Sequence, residues 1–339
     1  MRSPGLPTSP GSPGMVTLVH KMGRGRSRDA NIREIGERLA TASQTHDLMI
    51  EIGGMSVCLR TDSDEFRRML EERYVGFVPS PAAPAVRPAA AGQQEPFVLE
   101  IELLAEGATG PDEDVRVRRA GGRWVLTRGD FRAEWEPERR RGWVRQTANP
   151  YAIDSVLRIL HTLLLAEEGG FLLHAASAIR KGKAFLFSGK SEAGKTTISR
   201  LAPGDVVLLT DEISYIRKDR AEGRAPSTRA PKDGALAQDD TRNTYVAFGT
   251  PFAGELAKVG ENVCAPITGL YFLEKAAQNR IEPLATAEAL FRLMQNILFF
   301  AEDERLVSQV FEAAGEFVLN VPSYRLEFVP DARVWELMA

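Results

Sequence analysis

A glycine-rich loop between a short apolar run and a helix start is the feature that most constrains this chain. Residues 184–197 read AFLFSGKSEAGKTT, in which residues 189–196 fit the pattern G-x-x-x-x-G-K-[ST]. The two glycines permit a tight turn whose backbone N–H groups point inward and can hold phosphate oxygens. Lys195 can reach the β- and γ-phosphates, the Thr196 hydroxyl can bind Mg²⁺, and the helix dipole favours an anion at the same point. The pattern therefore predicts a nucleoside triphosphate site.

The ligands expected at this loop are ATP and Mg²⁺. The residues expected to contact them are Gly189, Lys190, Ser191, Glu192, Ala193, Gly194, Lys195, Thr196 and Thr197.

Composition excludes several classes of protein. The chain has 339 residues, of which 43% are hydrophobic and 26% charged, as is ordinary for a globular protein. A net charge of −3 argues against a general nucleic-acid binder, which needs a basic excess to meet phosphates. The longest apolar stretches, around 156–166 and 290–300, are too short and interrupted to span a bilayer. Two distant cysteines and no recognisable signal peptide lead us to expect a cytoplasmic protein without nucleic-acid or membrane partners.

The chain divides into three parts by texture. Residues 1–30 are rich in Pro, Gly and Ser and then in Arg, which predicts a disordered leader. Residues 31–150 predict a small α+β lobe, with a helix at 32–43 and a Pro/Ala loop at 79–92. Residues 151–339 predict an α/β nucleotide domain that begins with a helix at 152–166.

Short alternating segments fill the predicted lobe. Residues 48–52 and 55–59 flank Gly53-Gly54, which is a hairpin signal. Asp62, with Glu65 three residues later, predicts the capped start of a helix that runs through Glu72. Further strands are predicted at 97–104, 115–119, 124–127, 131–135 and 142–145.

Acidic and imidazole side chains stand near the phosphate loop. Strands are predicted at 171–179, 182–188 and 205–210, and the last of these ends in Asp211-Glu212. A carboxylate at the tip of a buried strand beside a phosphate loop is placed to hold Mg²⁺ or to accept a proton, although Asp211 could instead cap a turn. His174 lies on the strand before the loop, where it is either a functional residue or a hydrogen-bonded core residue.

These residues resemble the HPr kinase/phosphorylase family, which is related to ATP-dependent phosphoenolpyruvate carboxykinases. The likeness covers residues 168–335 and rests on His174, the loop at 189–196 and the acidic pair Asp211-Glu212. The stretch 247–255, a strand at 267–273, a helix at 286–299 and the terminal VPSYRL segment resemble the branch found near peptide-maturation genes. The resemblance implies an HPr-kinase/PEP-carboxykinase-like P-loop domain that follows a small α+β lobe.

The resemblance also implies a reaction, because members of that family phosphorylate a serine hydroxyl of a small carrier protein. Glu212 replaces the family's second aspartate, and the family's Ser-Glu pair and phosphorolysis signature are missing. Kinase activity is therefore implied more strongly than the reverse reaction, and HPr itself is not the expected substrate.

Phosphoryl transfer assigns a role to each residue. Lys195 and the loop amides neutralise the phosphates, and Thr196, Asp211 and Glu212 are the expected metal ligands. Asp211 is the expected base, and His174 would orient that acid or the acceptor hydroxyl. Arg242 and Thr250 are weaker candidates for contact with the γ-phosphoryl group or the acceptor.

Three classes of function stay open. The chain could phosphorylate a Ser or Thr of a peptide or small protein, phosphorylate a small-molecule hydroxyl, or act as a non-catalytic ATP-binding regulatory module. Retention of Lys195, Thr196, Asp211 and His174 together disfavours the third class. The expected partner is accordingly a peptide or small protein, with a small-molecule substrate and a homo-oligomer left open.

Overall fold

The computed structural model of the chain describes residues 45–79, 95–104, 114–219, 244–252, 254–256 and 259–338. Within these ranges the chain is a mixed α/β protein in which sheets predominate and helices are few. The predicted α/β class is confirmed at this level. The expected leader, the helix at 32–43 and all but the first residue of the 79–92 loop lie outside the described ranges.

The seven strands described in the first half of the chain form one sheet. Its strands are His46–Ile52 (β1), Met55–Thr61 (β2), Phe97–Leu103 (β3), Arg116–Ala120 (β4), Arg123–Arg128 (β5), Phe131–Glu136 (β6) and Arg141–Gln146 (β7). Their order across the sheet is β1-β2-β3-β7-β6-β5-β4. Strand β3 pairs in parallel with both β2 and β7, and the other pairs are antiparallel. The alternating segments predicted from the sequence are therefore confirmed as strands, within a residue or two at their ends.

The first hairpin depends on its two glycines. Gly53 and Gly54 have φ angles of 61° and 75°, the left-handed conformation that a tight two-residue turn between twisted strands requires. A Cβ atom at Gly53 would also lie 2.3 Å from the ring of Tyr215, which belongs to the second sheet. The turn is therefore fixed both by backbone conformation and by close packing between the two sheets.

A helix, Asp64–Arg73 (α1), lies in the connection from β2 to its parallel neighbour β3. Its N-cap is Ser63, whose hydroxyl accepts a hydrogen bond from the Phe66 N–H at 3.2 Å. The predicted cap at Asp62 is one residue too early. The cap is Ser63 because its hydroxyl, three positions before Phe66, can accept a bond from that N–H group, and Phe66 and Leu70 are buried on the inner side of the helix.

A long helix, Pro150–Glu168 (α2), joins the two halves of the chain. It begins after Asn149, whose side chain accepts from the Tyr151 N–H, and it ends at Gly169 with a φ angle of 73°. Asp154 on this helix is buried, and its carboxylate accepts from the Tyr74 hydroxyl at 2.6 Å and from the Arg73 guanidinium. These bonds fasten α2 to the end of α1.

A nine-stranded sheet contains the second half. Its strands are Phe171–Arg180 (β8), Lys183–Ser188 (β9), Val206–Thr210 (β10), Ile213–Lys218 (β11), Tyr245–Phe248 (β12), Cys264–Lys275 (β13), Arg280–Pro283 (β14), Ile297–Leu298 (β15) and Ser323–Phe328 (β16). Strand β9 lies between β8, with which it is antiparallel, and β13, with which it is parallel. Strand β16 continues the parallel set on the other edge of β13.

Helices cover both faces of this sheet. On one face, helices Thr286–Met294 (α4) and Glu304–Asn320 (α5) pack against strand residues such as Leu186 and Phe272. The short helix Lys195–Arg200 (α3) and the 3₁₀ helix Ala332–Leu337 pack with the residues that alternate with these, such as Phe187. The phosphate loop thus runs from the middle of the sheet onto the face that α3 covers.

The predicted helix at 286–299 is too long, because α4 ends at Met294. The next residues form β15, in which Ile297 and Leu298 pair with Leu173 and Leu172 of β8. Backbone hydrogen bonding to the sheet therefore replaces the last helical turns.

The stability of this fold should depend on pH through His161 of α2. This imidazole is buried, and its Nδ1 lies 3.2 Å from the Tyr215 hydroxyl. Burial, with a smaller effect of Arg217, lowers the pKa of His161 from 6.5 to about 3. The unfolded chain binds this proton below pH 6.5 while the folded chain stays neutral, so the free energy of unfolding should fall by about 1.4 kcal/mol per pH unit between pH 6.5 and 3.

Chemical denaturation of the full chain across that pH range measures this slope. The slope for His161→Gln should be shallower than that of wild type by one protonation. Identical slopes for wild type and His161→Gln would contradict the assignment.

Candidate functional site

The loop at 189–196 leaves the carboxyl end of β9 and leads directly into α3. Gly194 is the N-cap of α3 and has a φ angle of 112°. A Cβ atom there would lie 2.5 Å from the ring of Phe328 at the end of β16. Gly194 is therefore required both by its conformation and by the close approach of Phe328, and the predicted strand–loop–helix arrangement is present.

Lys195 lies at the first position of α3 and is 8% exposed. Its ammonium donates to the carbonyl oxygens of Gly189 at 3.1 Å and Lys190 at 3.3 Å. Burial lowers the pKa of Lys195, and the negative charges of Glu212 and Glu255 oppose that effect. The loop lysine therefore stands in a partly desolvated environment close to two carboxylates.

Asp211 lies in the turn between β10 and β11 and is 5% exposed. Its two carboxylate oxygens accept from the backbone N–H groups of Gly254 and Leu256, each at 2.8 Å. A Cβ atom at residue 254 would lie 2.9 Å from the Asp211 carboxylate, so only glycine fits there. Asp211 thus holds the segment 254–256 against the β10–β11 turn.

Glu255 is brought to the site by that same segment. Its carboxylate accepts from the Thr196 hydroxyl at 3.2 Å. The stretch 247–255 carries part of the resemblance seen in the sequence, but the sequence predicts no role for Glu255. The position of Glu255 depends on the two hydrogen bonds that the neighbouring backbone N–H groups donate to the distant Asp211 carboxylate. No local sequence pattern predicts such bonds.

Glu212 is partly buried beside the loop. Its carboxylate lies 3.8 Å from the guanidinium of Arg158 on α2, and that guanidinium stacks over the Phe252 ring at 4.9 Å. Burial raises the pKa of Glu212 above its usual 4.5, with Asp211 and Glu255 adding to the shift and Arg158 and Lys195 opposing it. These mutual effects place Glu212, Glu255 and Lys195 in one electrostatic cluster.

His174 on β8 belongs to the same region. Its backbone N–H donates to the Asn296 carbonyl at 2.8 Å, and its carbonyl accepts from the Ser188 hydroxyl at the end of β9. Burial, and then the positive charge of Lys195, lowers the pKa of His174 to about 4. The imidazole is therefore neutral at pH 7 and close enough to Lys195 to sense its charge.

The two weaker substrate candidates are placed differently. Thr250 is fully buried, and its hydroxyl donates to the Ile213 carbonyl at 3.1 Å, which ties the end of β12 to β11. That contact gives Thr250 a structural task. Arg242 lies outside the described ranges, as does most of the basic stretch 218–232.

Metal binding can be judged from the donor set. Across the part of the chain that the structure describes, no three His, Cys, Asp or Glu side chains come together to hold a metal ion. The pair of Thr196 and Glu255, with Glu212 nearby, supplies the oxygen donors that Mg²⁺ prefers. Mg²⁺ in nucleotide sites is held by one or two carboxylates plus phosphates and water, so this incomplete set fits a metal that arrives with a nucleotide.

Among the described residues, every helix is too short or too polar to cross a membrane.

Comparison with known proteins corrects the family suggested by the sequence. A search of curated proteins finds no match. The family model that matches is ScmC, described as SynChlorMet cassette protein ScmC, over residues 146–339, and the resemblance to HPr kinases is overturned as a family assignment.

The error has a physical origin. A phosphate loop followed by an acidic strand end is a short motif fixed by phosphate chemistry, and unrelated families share it. The match, in contrast, extends over more than half of the chain, including α4, α5 and the C-terminal 3₁₀ helix. The chain belongs to the ScmC family of SynChlorMet cassette proteins.

Proposed function

We propose that this chain is an ATP-dependent kinase with a P-loop kinase fold that transfers the γ-phosphoryl group to a Ser or Thr hydroxyl of a peptide or small protein. The observation that carries the proposal is the convergence of Glu212, Glu255 and His174 on Lys195 of the phosphate loop. A small-molecule hydroxyl is the alternative acceptor. A regulatory module that binds ATP without chemistry is the third reading.

Positioning and charge neutralisation do most of the work in phosphoryl transfer, because charge spreads over the γ-phosphoryl oxygens in the transition state. The loop amides and Lys195 would hold the phosphates. Thr196 and Glu255 would hold Mg²⁺, which supplies further neutralisation when bound. Neutral His174 would orient the acceptor hydroxyl without adding charge.

The contacts of the two acids lead us to exchange the roles expected from the sequence. Both oxygens of Asp211 are engaged with backbone N–H groups, which suits a residue that positions Glu255. Within the described residues the Glu212 carboxylate accepts no hydrogen bond from a backbone N–H, and its pKa is raised, which suits a base. The acceptor oxygen would attack the γ-phosphorus as its proton passes to the Glu212 carboxylate, and the bond from the γ-phosphorus to the bridging oxygen would break to release ADP.

The first test is nucleotide binding. Lys195→Ala should weaken Mg·ATP binding about ten- to hundredfold in calorimetry, because a charged hydrogen bond to phosphate contributes about 1.5–3 kcal/mol. The matched control is Lys183→Ala, which removes an exposed lysine at the opposite end of β9 and should keep the wild-type affinity. Circular dichroism should show both variants folded. Equal affinities for Lys195→Ala and wild type would remove the loop from the proposal.

The second test separates the two acids. Glu212→Gln should keep Mg·ATP affinity within a few-fold and lower phosphoryl transfer by about two to four orders of magnitude, the range for loss of a general base. Because a base must be deprotonated, wild-type kcat/KM should fall as pH drops through the raised pKa of Glu212, and the variant should lack this limb. A transfer rate near wild type in Glu212→Gln, with loss only in Asp211→Asn, would return the base to Asp211.

The third test concerns the segment that Asp211 holds. Gly254→Ala and Asp211→Asn should both raise the Mg²⁺ concentration that ATP binding needs, because each displaces the segment that carries Glu255. The reason is steric in the first variant and loss of an acceptor in the second. Titration of Mg²⁺ at fixed ATP measures the effect. A normal Mg²⁺ requirement in both variants would contradict the positioning role.

The acceptor is identified by transfer of label from γ-labelled ATP. Labelled peptide or small protein supports the proposal, and labelled metabolites support the small-molecule alternative. Binding of ATP by wild type with no labelled product in either pool would favour the regulatory module.

A further inference from the structure

A cavity of about 810 Å³ lies beside the loop at 189–196, away from Asp211, Glu212 and Glu255. Its walls are the loop at 189–193, the end of β13 at 272–275, and the outer side of α4. The two residues that follow α4, Gln295 and Asn296, complete the lining. None of His174, Asp211, Glu212 and Glu255 lines it. The cavity is therefore a second space that shares one wall with the proposed phosphate site.

An exposed aromatic ring stands in this cavity. Phe291 on α4 lines it and is 66% exposed, although Ala289 and Leu293, on the inner side of the same helix, are buried. Single exposed apolar side chains are common on protein surfaces, but this ring stands at the wall of a cavity, and small-molecule sites are lined mainly by apolar and aromatic side chains. A flat ring with a free face is suited to stacking on another flat ring.

The charges in this cavity balance. Three cations and three carboxylates line it: Lys190, Lys275, Arg292, Glu192, Glu274 and Glu288. Arg292 is paired with Glu274 at 2.6 Å and with Glu288 at 2.8 Å, so the cavity has no excess of positive charge that would favour an anion. Gln295 adds an exposed amide that can both donate and accept hydrogen bonds. An aromatic face, an amide and carboxylate acceptors suit a neutral heterocycle with its sugar hydroxyls.

Strand order sets the direction that a nucleotide held at this loop would take. The loop rises from β9, which has β8 on one side and β13 on the other. His174 is on β8, and the Asp211-Glu212 turn leads into β11, which pairs with β8. The cavity lies on the β13 side. A triphosphate whose γ end points to Lys195 and Glu212 would therefore have its nucleoside end on the cavity side.

We infer that this cavity takes the base and sugar of the nucleotide, with the Phe291 ring stacked on the base. The inference rests on the proposed function, because it places one end of the nucleotide whose phosphates the loop would hold. It adds a binding residue that no loop motif contains, and it makes α4 a determinant of nucleotide recognition.

The test compares two probes that share phosphates and differ in the base. Binding of Mg·ATP and of Mg·tripolyphosphate is measured by calorimetry on the full chain. Phe291→Ala should weaken Mg·ATP about five- to 150-fold, the usual loss when a stacking aromatic is removed, and should leave tripolyphosphate unchanged. Phe291→Trp should retain ATP affinity because it keeps a stacking ring. The matched control is Phe311→Ala on α5, which removes another half-exposed phenylalanine that does not line the cavity.

The possible outcomes separate this inference from the proposed function. If Phe291→Ala binds ATP as tightly as wild type, the base lies elsewhere and the inference is wrong while the phosphate site stands. If that variant keeps its ATP affinity but has a raised KM for the acceptor, the cavity belongs to the acceptor and the inference is again overturned. If wild type binds neither probe, the proposed function fails and this inference fails with it.

Discussion

Hydrogen bonding along both edges of β9 is the constraint on which the site depends. This strand is antiparallel to β8 on one edge and parallel to β13 on the other, so its carboxyl end is held in the middle of the sheet. The loop at 189–196 leaves the sheet at that point, and Gly194 is required where the chain turns under Phe328. The residues of β8 and β13 become the two flanks of the loop. The division of the site into an acidic side and an aromatic side follows from that order.

Desolvation and charge are balanced around the loop lysine. Burial lowers the pKa of Lys195 and raises the pKa of Glu212, because low dielectric surroundings disfavour each charged form. Their mutual attraction opposes this, and Arg158 gives Glu212 a second cation. The carboxylates of Asp211, Glu212 and Glu255 still outnumber the cations Lys195 and Arg158. A triphosphate would add more negative charge, so a nucleotide bound as we propose needs a divalent cation with it.

Local signals in the sequence predicted what local physics determines. The turn at Gly53-Gly54, the alternating strands and the strand–loop–helix arrangement around residues 189–196 could be predicted, because each depends on residues within a few positions of one another. The contacts of Glu255 and Asp211 were not readable, since they join segments more than forty positions apart. Phe291 reads as an ordinary apolar helix residue, and only the packing of α4 shows that its ring faces outward. The family was misjudged for a different reason, because unrelated families can share one short motif.

One side of α2 connects the seven-stranded sheet to the site. Asp154, Arg158 and His161 follow one another at helical spacing. Asp154 accepts from Arg73 and Tyr74 at the end of α1, Arg158 faces Glu212, and His161 contacts Tyr215 of β11. Tyr215 in turn leaves no room for a side chain at Gly53 in the first hairpin. A shift of the seven-stranded sheet would therefore move α2 and with it Arg158, whose positive charge opposes the rise in the pKa of Glu212. In this way the first half of the chain, which supplies none of the loop or its acids, can still set the proton affinity of the residue that we propose as the base.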